Sequence, residues 1–187
     1  MNKLFRIFAA PVCALLLSAC FALAACAQTP PAGEDGAGNA LSGTMTFVID
    51  DPATAEADAV FSVSLENYAA GDTAADVLDG LAAEGKVCYE GSRGVFGLML
   101  TAVGTVEDGT DWQGNPAKVD SYILRQDASA GVYLYLYTSV AADQADYDGA
   151  TSVQYAGQTL VESMQSIGSM TIADGAVILI TTIVYGA

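Results

Sequence analysis

The sequence predicts an α+β protein that is mostly β. Three observations carry this. Short runs rich in Val, Ile, Phe, Tyr and Thr recur from residue 45 onward, separated by Gly, Asp and Pro turn signals. The best helix signal, over residues 73 to 84, joins a capping pattern to an apolar stripe at helical spacing. The last apolar run, 176 to 185, is continuous rather than alternating, which suits a central strand covered on both faces.

Taken in order, Met45-Thr46-Phe47-Val48-Ile49 is a strand that stops at Asp50-Asp51-Pro52. Phe61, Val63 and Leu65 alternate with polar residues and mark a half-buried strand. Thr73 and Asp76 have the spacing of a capping box, Val77, Leu78 and Leu81 form one apolar stripe, and Gly85 is placed to end the helix. Gly80 inside it costs on the order of 1 kcal/mol against alanine.

Strands then dominate. Residues 95 to 103 are apolar and punctuated by Gly94, Gly97 and Gly104, and 106 to 109 read as a turn into a polar loop holding Asp111, Trp112, Gly114, Asn115 and Pro116. Residues 121 to 126 form a short strand and 132 to 140 a strong one. Residues 152 to 155 and 158 to 161 suit a hairpin about Ala156-Gly157. Leu160, Val161, Met164 and Ile167, behind Thr159 and Glu162, also suit a short helix, and the β-rich flanks favour the hairpin. The similar pentapeptides at 105 to 109 and 171 to 175 read as two strand-ending turns.

The first 26 residues read as a lipoprotein signal peptide. Lys3 and Arg6 precede an apolar run too short and wrongly flanked for a spanning helix, and Leu23-Ala24-Ala25-Cys26 forms a small-residue cleavage site ending in cysteine. Leu17-Ser18-Ala19-Cys20 is an alternative box. Cleavage before Cys26 leaves a polar terminus, whereas cleavage before Cys20 leaves an apolar one, so Cys26 is the expected lipid anchor. Stable attachment needs more than one acyl chain. Residues 27 to 43, rich in Gly, Pro and Ala, form a flexible linker, and 44 to 187 form the domain.

Formal charge is −16, and loss of the leader, which carries Lys3 and Arg6 and no acid, takes it to −18. Such a surface repels nucleic acid and anionic headgroups and favours cations or basic partners. Histidine is absent, which excludes Ser-His and Cys-His nucleophiles and the commonest metal ligand. With Cys26 acylated, Cys88 has no disulfide partner and reads as a buried, inert thiol.

Two constellations stand out. Tyr133, Tyr135 and Tyr137 alternate with leucines and so share one face of a strand. They suit either a stacking platform for a ligand, with Trp112 as a further candidate contact, or a packed stripe of sheet side chains. Asp143, Asp146 and Asp148 before Gly149 suggest a calcium loop, but the register leaves Tyr155 where a bidentate glutamate is needed, which favours a solvated acidic loop. No metal site, catalytic residue or cofactor is assigned.

Gly71-Asp72-Thr73-Ala74-Ala75-Asp76-Val77-Leu78 at the helix start, and the terminal Asp174-Gly175 turn with its strand, resemble the transcobalamin-like C-terminal domains of bacterial surface lipoproteins, a family of unknown function. The likeness spans roughly residues 44 to 186. It implies a β-grasp-like sheet packed on the helix at 73 to 84 and, by analogy with vitamin B12 carriers, a corrinoid-like ligand. Where the family carries Trp, Tyr and Asn-Gly in the strand facing the ligand, this chain has Tyr133-Leu134-Tyr135-Leu136-Tyr137-Thr138-Ser139.

The expected function is a lipid-anchored binding module, exported and facing outside on the bacterial membrane, for a small molecule. A structural or adhesive protein-interaction domain is the alternative, and a carboxylate-based hydrolase ranks last.

Overall fold

Strand β1 (Thr44–Ile49) pairs antiparallel with β2 (Ala59–Ser64), Phe47 standing opposite Phe61, in a computed structural model that describes residues 40 to 185. The two candidate anchor cysteines, Cys20 and Cys26, lie outside the described residues, as do Lys3, Arg6 and most of the linker. No helix among the described residues is long and apolar enough to cross a membrane.

The helix α1 (Ala74–Ala83) forms where its local signals place it. The Thr73 N–H donates to the Asp76 carboxylate at 2.7 Å and the Thr73 hydroxyl donates to it at 2.8 Å. These bonds hold the Asp76 carboxyl below the usual carboxylate range. Gly85 follows the C-cap in the left-handed region, φ +67°. Gly80 has a tertiary reason, since a β-carbon there would sit 2.5 Å from the Tyr68 hydroxyl.

A separate antiparallel sheet follows, built from β3 (Val87–Gly94), β4 (Gly97–Thr110) and β5 (Pro116–Arg125). It corrects the reading of 106 to 109 as a turn and lengthens the strand expected at 121 to 126. Val106 to Gly109 continue β4, because cross-strand partners supply what local propensity does not. Asp108 faces Lys118 and pairs with it at 2.8 Å, and Gly109 makes room for Val119. The turn comes later, where the Asp111 carboxylate accepts the N–H groups of Gln113 and Asn115 at 2.9 and 2.8 Å. Cys88, on β3, is buried and its thiol donates to the Thr105 carbonyl at 3.2 Å. Burial, with a smaller effect from Asp120, pushes the thiol up and so favours its protonated form.

The chain then completes the first sheet with β6 (Val132–Thr138), β7 (Ser152–Tyr155), β8 (Gln158–Glu162) and β9 (Val177–Val184). The strand order is β2-β1-β9-β6-β8-β7. β9 runs parallel to β1 and antiparallel to β6. Its Ile178 and Ile180 enter the main core with α1 and the smaller sheet, while Val177 and Leu179 join a second cluster with Val48, Tyr137 and Leu160. Two covered faces explain the unbroken apolar run. The architecture is α+β and mostly β, with one α-helix among the described residues.

The hairpin reading of 152 to 162 holds and the helical alternative does not. Leu160 and Glu162 are buried while Thr159 is exposed, a period of two. Ala156 and Gly157 both take left-handed backbone, φ +47° and +80°, as the tightest hairpin turns require. Ala156 is the one non-glycine among the described residues in that region, so Ala156→Asn, which tolerates it better, should stabilise the fold by about 0.5–1 kcal/mol. Urea unfolding should show a raised midpoint and an unchanged slope.

Candidate functional site

An open cavity of about 500 Å³ lies between the tip of the β3–β4 hairpin, the outer edge of β6 and the segment 163 to 169. Val95, Phe96, Leu98 and Met99 form the hairpin wall, Leu134 to Leu136 the strand wall, and Met164, Ile167 and neighbouring serines the third. No charged side chain lines it. At its mouth Phe96 is 77 % exposed, Met164 60 % and Met99 53 %. Phe96, Met99 and Met164 thus form a cluster of exposed large apolar side chains around one hollow rather than scattered surface residues.

The third wall is fixed at both ends by one residue. Asp143, in a 3₁₀ turn (Ala141–Asp143), is buried. Its carboxylate accepts the Thr171 N–H at 2.7 Å and the Thr171 hydroxyl at 3.1 Å. Its backbone carbonyl accepts the Met164 N–H at 3.1 Å and the Ser163 hydroxyl at 3.2 Å. The same segment caps the helix, because the Ala74 and Ala75 N–H groups of the first turn of α1 donate to the carbonyls of Met170 and Ile167. Gly168 backs directly onto Gly97, and a β-carbon at Gly168 would lie 2.2 Å from the Leu98 nitrogen. Only glycine allows the two walls to meet this closely.

Behind the groove, Glu162 is buried beneath Tyr147 and Thr151. Its carboxylate accepts the Tyr147 hydroxyl, and the Thr151 N–H and hydroxyl at 3.1 and 3.0 Å. Burial alone would raise this carboxyl. Hydrogen bonds from Tyr135, Tyr147 and Thr151 outweigh it and bring the pKa down to about 2. Burial and the bond to Glu162 push the Tyr135 phenol well above its usual range. At neutral pH Glu162 is therefore ionised and already occupied by donors, which suits a structural anchor and not a proton donor.

The tyrosine stripe is arranged otherwise than a flat platform. Tyr137 is buried, its hydroxyl 3.0 Å from the Thr151 hydroxyl. Tyr135 meets Tyr137 edge to face at 5.5 Å and 62°, and Tyr133 meets Tyr185 likewise at 5.7 Å and 63°. Of these three tyrosines and Trp112, Tyr135 alone lines the groove. Trp112 sits 89 % exposed in the β4–β5 turn. The acidic trio is likewise divided: Asp143 faces inward to Thr171, whereas Asp146 and Asp148 are exposed. Among the described residues no three thiol or carboxylate side chains gather to hold a metal ion. Sequence reasoning missed Phe96, Met99 and Met164, whose only signal was an apolar Val95-Phe96 pair at a glycine-flanked hairpin tip.

No protein-family model matches the chain, and no curated protein matches it. Among solved structures it is similar to a Ruminococcus gnavus protein thought to bind metal, at 14% identity and a TM-score of 0.41, covering 76% of this chain and 97% of that one.

Two outcomes follow from this geometry. Glu162→Gln should cost about 2 kcal/mol, the scale of hydrogen bonds to a buried charge. Because the folded carboxyl titrates near 2 and its ordinary value is 4.5, its contribution is complete above pH 4.5 and lost as pH falls toward 2. Denaturant titrations should show wild type and variant converging across that window. Asp143→Asn presents an amide N–H₂ to donors it must accept from, and should destabilise the fold by about 2 kcal/mol in the same measurement.

Proposed function

We propose that this protein is a binding module whose groove at Phe96, Met99 and Met164 receives an apolar group of its ligand. The observation that carries this is the exposure of those three side chains around a cavity of about 500 Å³, a volume within the usual range of ligand sites. The two buried carboxylates of the described residues, Asp143 and Glu162, are each engaged by several donors, which supports binding over acid–base chemistry.

The strand order β2-β1-β9-β6 around α1, with β1 and β9 parallel, supports a β-grasp-like core of the transcobalamin-like kind. In this reading residues 1 to 26 are a lipoprotein leader, a lipid on Cys26 (or Cys20) tethers the domain to the outer face of a bacterial membrane, and 27 to 43 space it from the surface. A corrinoid-like ligand follows from the resemblance alone. Its seat would be the groove, since the edge-to-face tyrosines offer no flat stacking surface.

Nile red, an uncharged apolar dye, should bind the full chain with a fluorescence rise. Phe96→Ser with Met164→Ser should weaken that binding roughly tenfold, the loss of about 1.4 kcal/mol of apolar contact. Val60→Ser, which removes an exposed apolar side chain on β2, should leave it unchanged. Equal dye binding by all three proteins would refute the groove as the site.

A further inference from the structure

Along its inner edge β6 pairs with β9 over its whole length, from Val132↔Val184 to Thr138↔Ile178. Along its outer edge it pairs with β8 only at Tyr137 and Thr138. Alternation in an antiparallel ladder decides which backbone groups each edge presents. The Gly131 carbonyl and Ser139 N–H bond on the β9 side, so odd-numbered residues face inward. Val132 exchanges both backbone bonds with Asp127, and the Leu136 carbonyl accepts the Ser163 N–H at 2.8 Å, so even-numbered residues face outward. Between these two closures lie the Leu134 N–H, the Leu134 C=O and the Leu136 N–H. Among the described residues none of these three groups has a backbone or side-chain partner on that side, and Leu134 and Leu136 line the groove.

A row of unpaired backbone donors and acceptors beside apolar pockets is the arrangement that accepts an added strand. Charge narrows the occupant. The chain carries a formal −16, and each of its four bases among the described residues is already paired: Lys86 with Glu84, Arg93 with Asp79, Lys118 with Asp108, and Arg125 with Glu90. The net negative charge of the chain as a whole therefore favours a cationic partner.

We propose that the groove binds a basic, extended peptide segment of a partner protein, which adds as a short strand to the outer edge of β6 at Leu134 and seats alternate apolar side chains between Phe96, Met99 and Met164. This rests on the groove being a binding site and names its occupant. The peptide closes the gap between the Asp127 and Ser163 contacts, so its bonded span is short, about three to five residues.

The test uses the full chain and the synthetic peptide Lys-Val-Lys-Val-Lys-Val. At saturation the peptide should displace Nile red and slow hydrogen exchange at the Leu134 and Leu136 amides roughly tenfold. Alternate peptide N–H groups point to opposite edges of a strand. N-methylation of the three lysine nitrogens or of the three valine nitrogens should therefore differ, one analogue losing binding roughly tenfold and the other retaining it. Glu-Val-Glu-Val-Glu-Val should bind at least about tenfold more weakly at low salt. Equal binding by the two methylated analogues, or dye displacement without amide protection, would overturn strand addition and leave the groove reading intact. Failure of Nile red itself to bind would remove the groove reading. Protection of the two amides that grows with protein concentration in the absence of peptide would make a second copy the occupant and overturn the proposal.

Discussion

The pairing of β9 with β1 is the constraint on which the rest of this structure depends. It joins segments 130 residues apart, as the Thr44 N–H bond to the Asp174 carboxylate shows directly. Ile178 and Ile180 complete the core beneath α1, and Val177 and Leu179 complete the cluster on the opposite face. The other edge of β9 holds β6 along its whole length. Once β9 is fixed, the segment that leads into it has little freedom. It must cross the N-terminus of α1, where its carbonyls cap the first turn, and that path makes it a wall of the groove.

The two buried carboxylates act through this frame in different ways. Asp143 gathers both ends of the segment 163 to 171 with one carboxylate and one carbonyl. Glu162 ties β8 to the stretch holding Tyr147 and Thr151. Each charge is surrounded by donors, and such a group is costly to disturb because its partners would be left unmatched in a low dielectric. The apolar surface at Phe96 and Met164 is thus held by polar groups that do not themselves face it.

What the sequence disclosed follows the range of the interactions involved. The helix was legible because Thr73, Asp76 and Gly85 act within a turn or two of their own positions. The β7–β8 hairpin was legible because Ala156-Gly157 decides it locally. The extent of β4 was not, since Asp108 and Gly109 read as turn residues until Lys118 and Val119 stand opposite them. The tyrosine stripe was placed on one strand face correctly, but its ring angles depend on Tyr185, Thr151 and Glu162, all distant in sequence. The groove was hidden for the same reason. Phe96 and Met164 come from separate segments, and an apolar side chain bound for a surface hollow looks in sequence like one bound for a core. The family resemblance pointed to a ligand-facing strand and so toward Tyr133 to Ser139, and the groove meets that strand at Leu134 to Leu136, so that Tyr135 alone of the three tyrosines lines it.

A fold whose opening strand waits for a partner more than a hundred residues downstream has a bearing on how it comes into being. Non-local closure of this kind makes for slow, highly cooperative maturation. Until residues 177 to 184 arrive, β1 keeps a bare flank and Met45, Phe47 and Ile49 lack the Ile178 and Ile180 part of their core. The nascent polypeptide therefore passes through an adhesive phase, during which its preponderance of like charges is the chief safeguard against clumping.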